Sequence, residues 1–240
     1  MDLGIAGRVA LVTAASKGLG RASAEALAAD GVKVVICARG QEALDATAAS
    51  IRAAGGEVTA IRADVTEPDQ PARLVAATVE AYGGLDILVG NAGGPPPGAA
   101  LDVTEDGLDS ALNANLRTSI RLAQAAIPHM RGWGRVVFIT SVSVRQPIGG
   151  LALSNVARTG LWAWAKTAAQ DLRETGITVN LACPGSHATD RMKELSHGSD
   201  VRMGDPGDFG KVVAFLCSQP AAFVNGIAMG VDGGAVAGLL

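Results

Sequence analysis

Short apolar, β-branched runs alternate along this chain with Ala-rich stretches of helical period, and no other feature restricts the fold as strongly. The runs read as strands at Val9–Thr13, Lys33–Ala38, Glu57–Ala63, Ile87–Val89, Arg135–Thr140, Ile177–Ala182 and Ile227–Val231. Helices are expected at Gly20–Ala29, Gln41–Ala54, Pro71–Ala81, Leu108–Met130, Val156–Thr175 and Phe209–Ser218. In the fourth of these, Leu112, Leu116, Ile120 and Ile127 recur at helical spacing. Nearly continuous apolar strands separated by helices encode a parallel sheet covered on both faces, because each crossover lays a helix on the sheet. No repeat, linker or break in composition divides the 240 residues, so one domain is expected over 1–240.

The formal net charge of -3 comes from interspersed charges, without a basic block that could track a phosphate backbone. Nucleic acid is therefore not an expected partner, and a small molecule is. Asp2 and the early start of the first strand leave no room for a charged and then apolar leader, and no apolar run approaches the roughly 18 residues of a membrane span. A cytoplasmic protein without membrane contact is expected. Cys37, Cys183 and Cys217 are odd in number, far apart and set among apolar residues, which predicts buried reduced thiols. His129, His187 and His197 have no metal-ligand spacing with them or with each other, so no metal site is expected. Gly94-Pro-Pro-Pro-Gly98 reads as a stiff loop after the fourth strand.

Thr13-Ala-Ala-Ser-Lys-Gly-Leu-Gly20 follows the first strand and opens the first helix. Small residues there let the backbone approach a pyrophosphate, and a helix N-terminus offers it unpaired N–H groups and a positive dipole end. Ala14 is tolerable in such a turn if its φ stays negative. Further along the chain come Asp64-Val65 after the third strand, Gly90-Asn91-Ala92-Gly93 after the fourth, Asn180-Leu-Ala-Cys-Pro184-Gly185 with Thr189 after the sixth, and Val231-Asp-Gly-Gly234 near the end.

In their order and strand-end placement these segments resemble the short-chain dehydrogenase/reductase family over nearly the whole chain. The resemblance implies a Rossmann-type, doubly wound α/β domain with a seven-stranded parallel sheet flanked by helices. It also implies a dinucleotide held by Thr13, Ser16, Lys17, Gly18, Leu19 and Gly20, by Asp64 and Val65 at the adenine, and by Asn91, Ala92, Gly93, Pro184, Gly185 and Thr189 toward the nicotinamide. Where members specific for NAD carry an acid at the end of the second strand, this chain has Arg39, with Lys17 as a second cation. Two cations and no carboxylate suit a 2′-phosphate, so NADP(H) is the expected cofactor.

The family's catalytic Ser precedes, by thirteen residues, a Tyr that opens Y-x-x-x-K. By the same resemblance Ser141 is the orienting Ser and Asn115 the Asn of the proton relay, while Ser154 stands in the Tyr position and Arg158 in the Lys position, where it would also meet the cofactor. Tyr82, the one tyrosine, precedes the fourth strand and belongs to the opposite end of the sheet. Ser154 has no adjacent base, and a guanidinium does not release its proton to a relay. Two readings stand for His187: an exposed loop histidine, or a replacement acid near the nicotinamide. Lys166 is expected on a helix surface and Cys183 in the core. The segment 186–204 forms a lid shorter than the family's, which predicts an open site.

Two functions follow as expectations. One is an NADP(H)-dependent oxidoreductase of modified mechanism for a carbonyl or hydroxyl substrate, possible classes including 3-oxoacyl ketones. The other is a catalytically impaired NADP(H)-binding protein with a structural, sensing or partner-binding role. Family members pair through the two long helices, so a homo-oligomer, dimer or tetramer, is expected, with Trp162 and Trp164 suited to its interface.

Overall fold

The computed structural model describes residues 1–196 and 202–238. Its strands are β1 Val9–Val12, β2 Lys33–Ala38, β3 Val58–Arg62, β4 Ile87–Gly90, β5 Gly134–Ile139, β6 Ile177–Pro184 and β7 Ala228–Val231. They form one sheet in the order β3-β2-β1-β4-β5-β6-β7, with every neighbouring pair parallel. The helices are α1 Gly18–Ala29, α2 Gln41–Ala53, α3 Gln70–Tyr82, α4 Glu105–Leu112, α5 Thr118–Ala126, α6 Ala152–Asp171, α7 Asp190–Ser196 and α8 Pro206–Leu216.

Period-two alternation in the strands divides the core between the two faces of the sheet. Val34 and Ile36 of β2 join Leu27, Phe209 and Val213 on one side, whereas Val35 and Cys37 join Leu74, Leu122 and Phe138 on the other. On the first side α1 and α8 come very close: a Cβ at Gly210 would lie 2.3 Å from the Ala22 carbonyl oxygen, so only glycine permits that approach. The strand order turns at β1, which has β2 on one flank and β4 on the other. Such a reversal opens a crevice beyond the carboxyl ends of the strands, and ligands of open α/β sheets bind there.

The expected single helix Leu108–Met130 is instead α4, a π-helical turn at Asn113–Arg117, α5 and a 3₁₀ turn at Ile127–His129. Hydrophobic period does not register this break, because Leu116, Ile120 and Ile127 still pack against the core. The expected start of the following helix also moves, from Val156 back to Ala152, which brings Ser154 into the helix. No described helix is long and apolar enough to cross a membrane.

Candidate active site

The glycine turn is tied to its surroundings by reciprocal hydrogen bonds. Buried Thr13 donates its hydroxyl to the Asn91 carbonyl at 2.8 Å and accepts from the Asn91 N–H at 2.9 Å. The Asn91 side-chain Nδ2 donates to the Ala14 carbonyl at 3.2 Å, and buried Thr47 of α2 donates to the Ser16 carbonyl at 3.0 Å. Thr47 escaped sequence reasoning because a threonine inside a helical pattern carries no signal of the turn it will meet. The expectation of a negative φ at Ala14 is overturned: its φ is +47°, the one positive value at a non-glycine among the described residues. The turn needs a left-handed residue here, and Asn91 on its carbonyl together with the Ala15 N–H bond to Cys37 holds it there. Gly20 is fixed by space, since a Cβ would sit 2.6 Å from both the Ala14 oxygen and Asn91 Nδ2.

These contacts aim the start of α1 into the crevice. Its N-cap, exposed Lys17, makes no side-chain cap bond, so the first-turn N–H groups remain for a ligand. That arrangement fits a pyrophosphate. At the ends of β2 and β3 a pocket of about 390 Å³ is lined by Arg39, Arg62, Ala63, Asp64, Glu67 and Gln70. Burial raises the Asp64 pKa, but the Thr66 N–H at 3.0 Å, the Thr66 hydroxyl at 2.8 Å and the nearby Arg39 outweigh it and hold the carboxyl below its ordinary range. The Val65 and Thr66 carbonyls accept from Thr118 at 3.1 Å and Asn113 at 3.0 Å, which ties the segment after β3 to the broken helix.

The second half of the site lies at the ends of β5 and β6. Ser141 leaves β5 and caps a 3₁₀ turn at Val142–Val144, its Oγ accepting from the Ser143 N–H at 3.1 Å. The Ser143 hydroxyl is itself buried without a partner. Asn115 occupies the centre of the π turn; its Nδ2 donates to the Ala111 carbonyl at 3.4 Å, and its buried Oδ1 has no partner. π turns recur at functional sites because the extra residue redirects backbone and side-chain groups. Ser154 and Arg158 lie one helical turn apart on α6, both buried, and α6 packs against the π turn and the 3₁₀ turn.

Arg158 donates from Nη1 to the Ile139 carbonyl at 3.2 Å, at the carboxyl end of β5. Burial lowers its pKa to about 10, partly countered by Cys183, and it forms no ion pair with a described residue. Burial pushes the Cys183 thiol up to about 11, against the Thr140 hydroxyl at 3.2 Å and the Arg145 and Arg158 charges. Tyr82 sits at the other end of the sheet, its hydroxyl 3.0 Å from Thr59 Oγ1. Lys166 donates to the Gly226 carbonyl at 3.0 Å, which anchors α6 to the β7 approach.

His187 is not an exposed loop histidine. It is 6% exposed, its ring stands edge-on to Phe209 at 5.1 Å, and Nδ1 lies 3.3 Å from the Gly185 carbonyl. The described ends of the segment 186–204 are tied to their surroundings. Ser186 and Ala188 bond to Gly204 on either side of a His187–Gly204 bridge, and Arg191 of α7 donates to the Pro95 carbonyl at 3.1 Å across the crevice. A Cβ at Gly18 would lie 3.6 Å from the Thr189 methyl, so Thr189 stands beside the glycine turn. The rest of the lid, with His197, lies outside the described residues. Among the described residues no group of His, Cys, Asp or Glu side chains could hold a metal ion, and the three cysteines are buried and unpaired.

Residues 13–236 match the protein family described as enoyl-(acyl carrier protein) reductase. Human dehydrogenase/reductase SDR family member 4 is 37% identical over 244 residues, covering 96% of this chain and 88% of the human one. A 3-oxoacyl-[acyl-carrier-protein] reductase of Synechocystis sp. is 35% identical over 240 residues, covering 95% and 97%. The structure of L-sorbose reductase from Gluconobacter frateurii, complexed with NADPH and L-sorbose, superposes with a TM-score of 0.93 at 29% identity over 100% of both chains.

Proposed function

The chain belongs to the short-chain dehydrogenase/reductase family, and from that premise we propose an NADP(H)-dependent oxidoreductase acting on a carbonyl or hydroxyl substrate, 3-oxoacyl-type ketones being the first class to test. Support for NADP(H) comes from Lys17 and Arg39 at the crevice and from the NADPH held by the sorbose reductase. When bound, NADP(H) would supply or accept the hydride. Thr13, Ser16, Lys17, Gly18, Leu19 and Gly20 would hold its pyrophosphate side, Asp64 and Val65 its adenine, and Asn91, Ala92, Gly93, Pro184, Gly185 and Thr189 its nicotinamide side.

The observation that carries the catalytic reading is Asn115 Oδ1, buried and unpartnered in a π turn packed against α6. A buried acceptor left open costs about 1–3 kcal/mol, and a relay water would satisfy it. Ser141 is prepared for its part: Oγ accepts from the Ser143 N–H, which leaves its own O–H to donate to a substrate oxygen. Arg158, held by the Ile139 carbonyl, keeps a positive charge where the family has Lys and so favours charge developing on that oxygen. Ser154, in the Tyr position, lacks a base and does not act as a general acid. The proton then comes from water at Asn115. Losing a positioned acid costs typically about 10²–10⁴ in rate, whereas orientation contributes effective molarities of about 10⁵ M or more, so slow turnover is expected rather than none.

Stopped-flow or steady-state NADPH oxidation with an acetoacetyl thioester tests this reading, with the Ser154→Tyr/Arg158→Lys double variant as the sharper arm. Turnover that rises about 10²-fold or more in that variant is expected. NADPH binding without turnover in either protein would instead support the second reading, a catalytically impaired NADP(H)-binding protein, which the joint presence of Ser154 and Arg158 favours. The proposal further includes a single-domain cytoplasmic protein assembled as a dimer or homotetramer through the helical layer of α5 and α6. Trp162 and Trp164 are half-buried there, and Trp164 stands edge-on to Phe138 at 6.2 Å. A stable monomer in light scattering at micromolar concentration would overturn the assembly.

A further inference from the structure

Two guanidinium groups, not one, face the pocket at the ends of β2 and β3. Arg39 follows β2, and Arg62 is the last residue of β3, paired in register with Ala38. Arg62 donates from Nε to the Arg39 carbonyl at 3.1 Å, so the two residues are fastened to each other while both line the pocket of about 390 Å³. Neither forms an ion pair within 4.0 Å with a described residue. Of the two carboxylates on the same walls, Asp64 is engaged by the Thr66 N–H and hydroxyl and also feels the Arg39 charge, and Glu67 lies on the exposed rim.

We propose that Arg62 is a second determinant of cofactor choice, closing with Arg39 on the 2′-phosphate of NADP(H). The inference rests on the NADP(H) reading above and deepens it. A guanidinium held through Nε keeps its two Nη groups as a planar donor pair, the geometry that grips a phosphate with two parallel bonds. The same bond holds the Arg62 side chain beforehand, so less of its freedom is lost when the phosphate arrives. NAD(H), whose ribose carries a hydroxyl there, gains nothing comparable from a second cation.

Titrations of the whole protein with NADPH, NADH, 2′,5′-ADP and 5′-AMP test this by direct binding. For Arg62→Gln, Kd for NADPH and 2′,5′-ADP is expected to rise about tenfold while NADH and 5′-AMP stay within about twofold. Arg62→Lys should recover part of the loss, since it restores charge but not the Nε bond, and Arg39→Gln/Arg62→Gln should lose less than the product of the single effects, because both act on one phosphate. Unchanged NADPH to NADH preference in Arg62→Gln would overturn the proposal. So would an equal loss for all four ligands, which marks a structural role. Equal binding of NADPH and NADH by the unaltered protein would overturn the NADP(H) reading itself, whereas a preference abolished by Arg39→Gln and untouched by Arg62→Gln would leave that reading standing without Arg62.

Discussion

The two halves of the crevice are built in opposite ways. At the glycine turn the chain satisfies itself: Thr13 and Asn91 exchange two bonds, Asn91 and Thr47 take up the Ala14 and Ser16 carbonyls, and space excludes any Cβ at Gly20. At the ends of β5 and β6 the chain leaves itself incomplete, with Asn115 Oδ1 and Ser143 Oγ buried and unpartnered and the Arg158 guanidinium resting on one carbonyl. The first half stores a shape in its backbone. The second keeps side-chain polarity in reserve, and stability is lower for it, because an unmet buried polar group costs more than a met one returns.

The largest expected effect tests whether the second half is catalytic. Ser141→Ala should lower kcat by about 10²–10³ with NADPH affinity unchanged, read by steady-state kinetics beside a binding titration. A parallel loss of affinity would erase the distinction between the halves. Next comes Gly20→Ala, whose Cβ would meet the Ala14 oxygen and Asn91 Nδ2 at 2.6 Å; overpacking of about 1–3 kcal/mol should appear as a lower Tm and weaker NADPH binding. Asn115→Leu should separate stability from activity. Leucine removes the acceptor of the relay water and also the bond to the Ala111 carbonyl, so stability should change by no more than about 1 kcal/mol in denaturant titration while turnover falls.

Ala14→Gly is expected to stabilise by about 1 kcal/mol, since it removes a Cβ from a left-handed residue, and to leave the kinetics alone. A destabilised variant would mean that the alanine methyl matters more than its strain. The smallest effect concerns the thiols. Burial pushes Cys37 and Cys217 up to about 12 and Cys183 up to about 11, so the native protein should be inert to a thiol reagent at pH 8 and release three equivalents on unfolding. Fast reaction of one thiol would place Cys183 nearer the open crevice than its burial allows.

Acid should act on the segment after β3. The folded Asp64 pKa lies below its unfolded value, so its contribution is complete above the ordinary carboxylate pKa of 3.8 and is lost as pH falls below that value through the folded one. Urea midpoints measured down this range should fall more steeply in the unaltered protein than in Asp64→Asn.

Much of this was legible beforehand. Alternating apolar strands and helices fixed a parallel, doubly covered sheet, and glycine and small-residue segments at strand ends marked the crevice, because burial on two faces and close backbone approach each demand particular residue types. Arg39, Ser141, Asn115, Ser154 and Arg158 follow as candidates from spacing within a recognised pattern, and the proposals above rest on them. Tertiary structure alone decided the rest. Whether Ala14 could avoid a positive φ, whether Leu108–Met130 was one helix, where His187 lay and what Arg62 touched all depend on partners far away in sequence: Asn91, Thr66, Phe209 and the Arg39 carbonyl. Local residue choice sets period and permitted backbone, whereas the φ of one turn residue or the reach of one guanidinium is set by which distant groups the completed sheet brings within bonding distance.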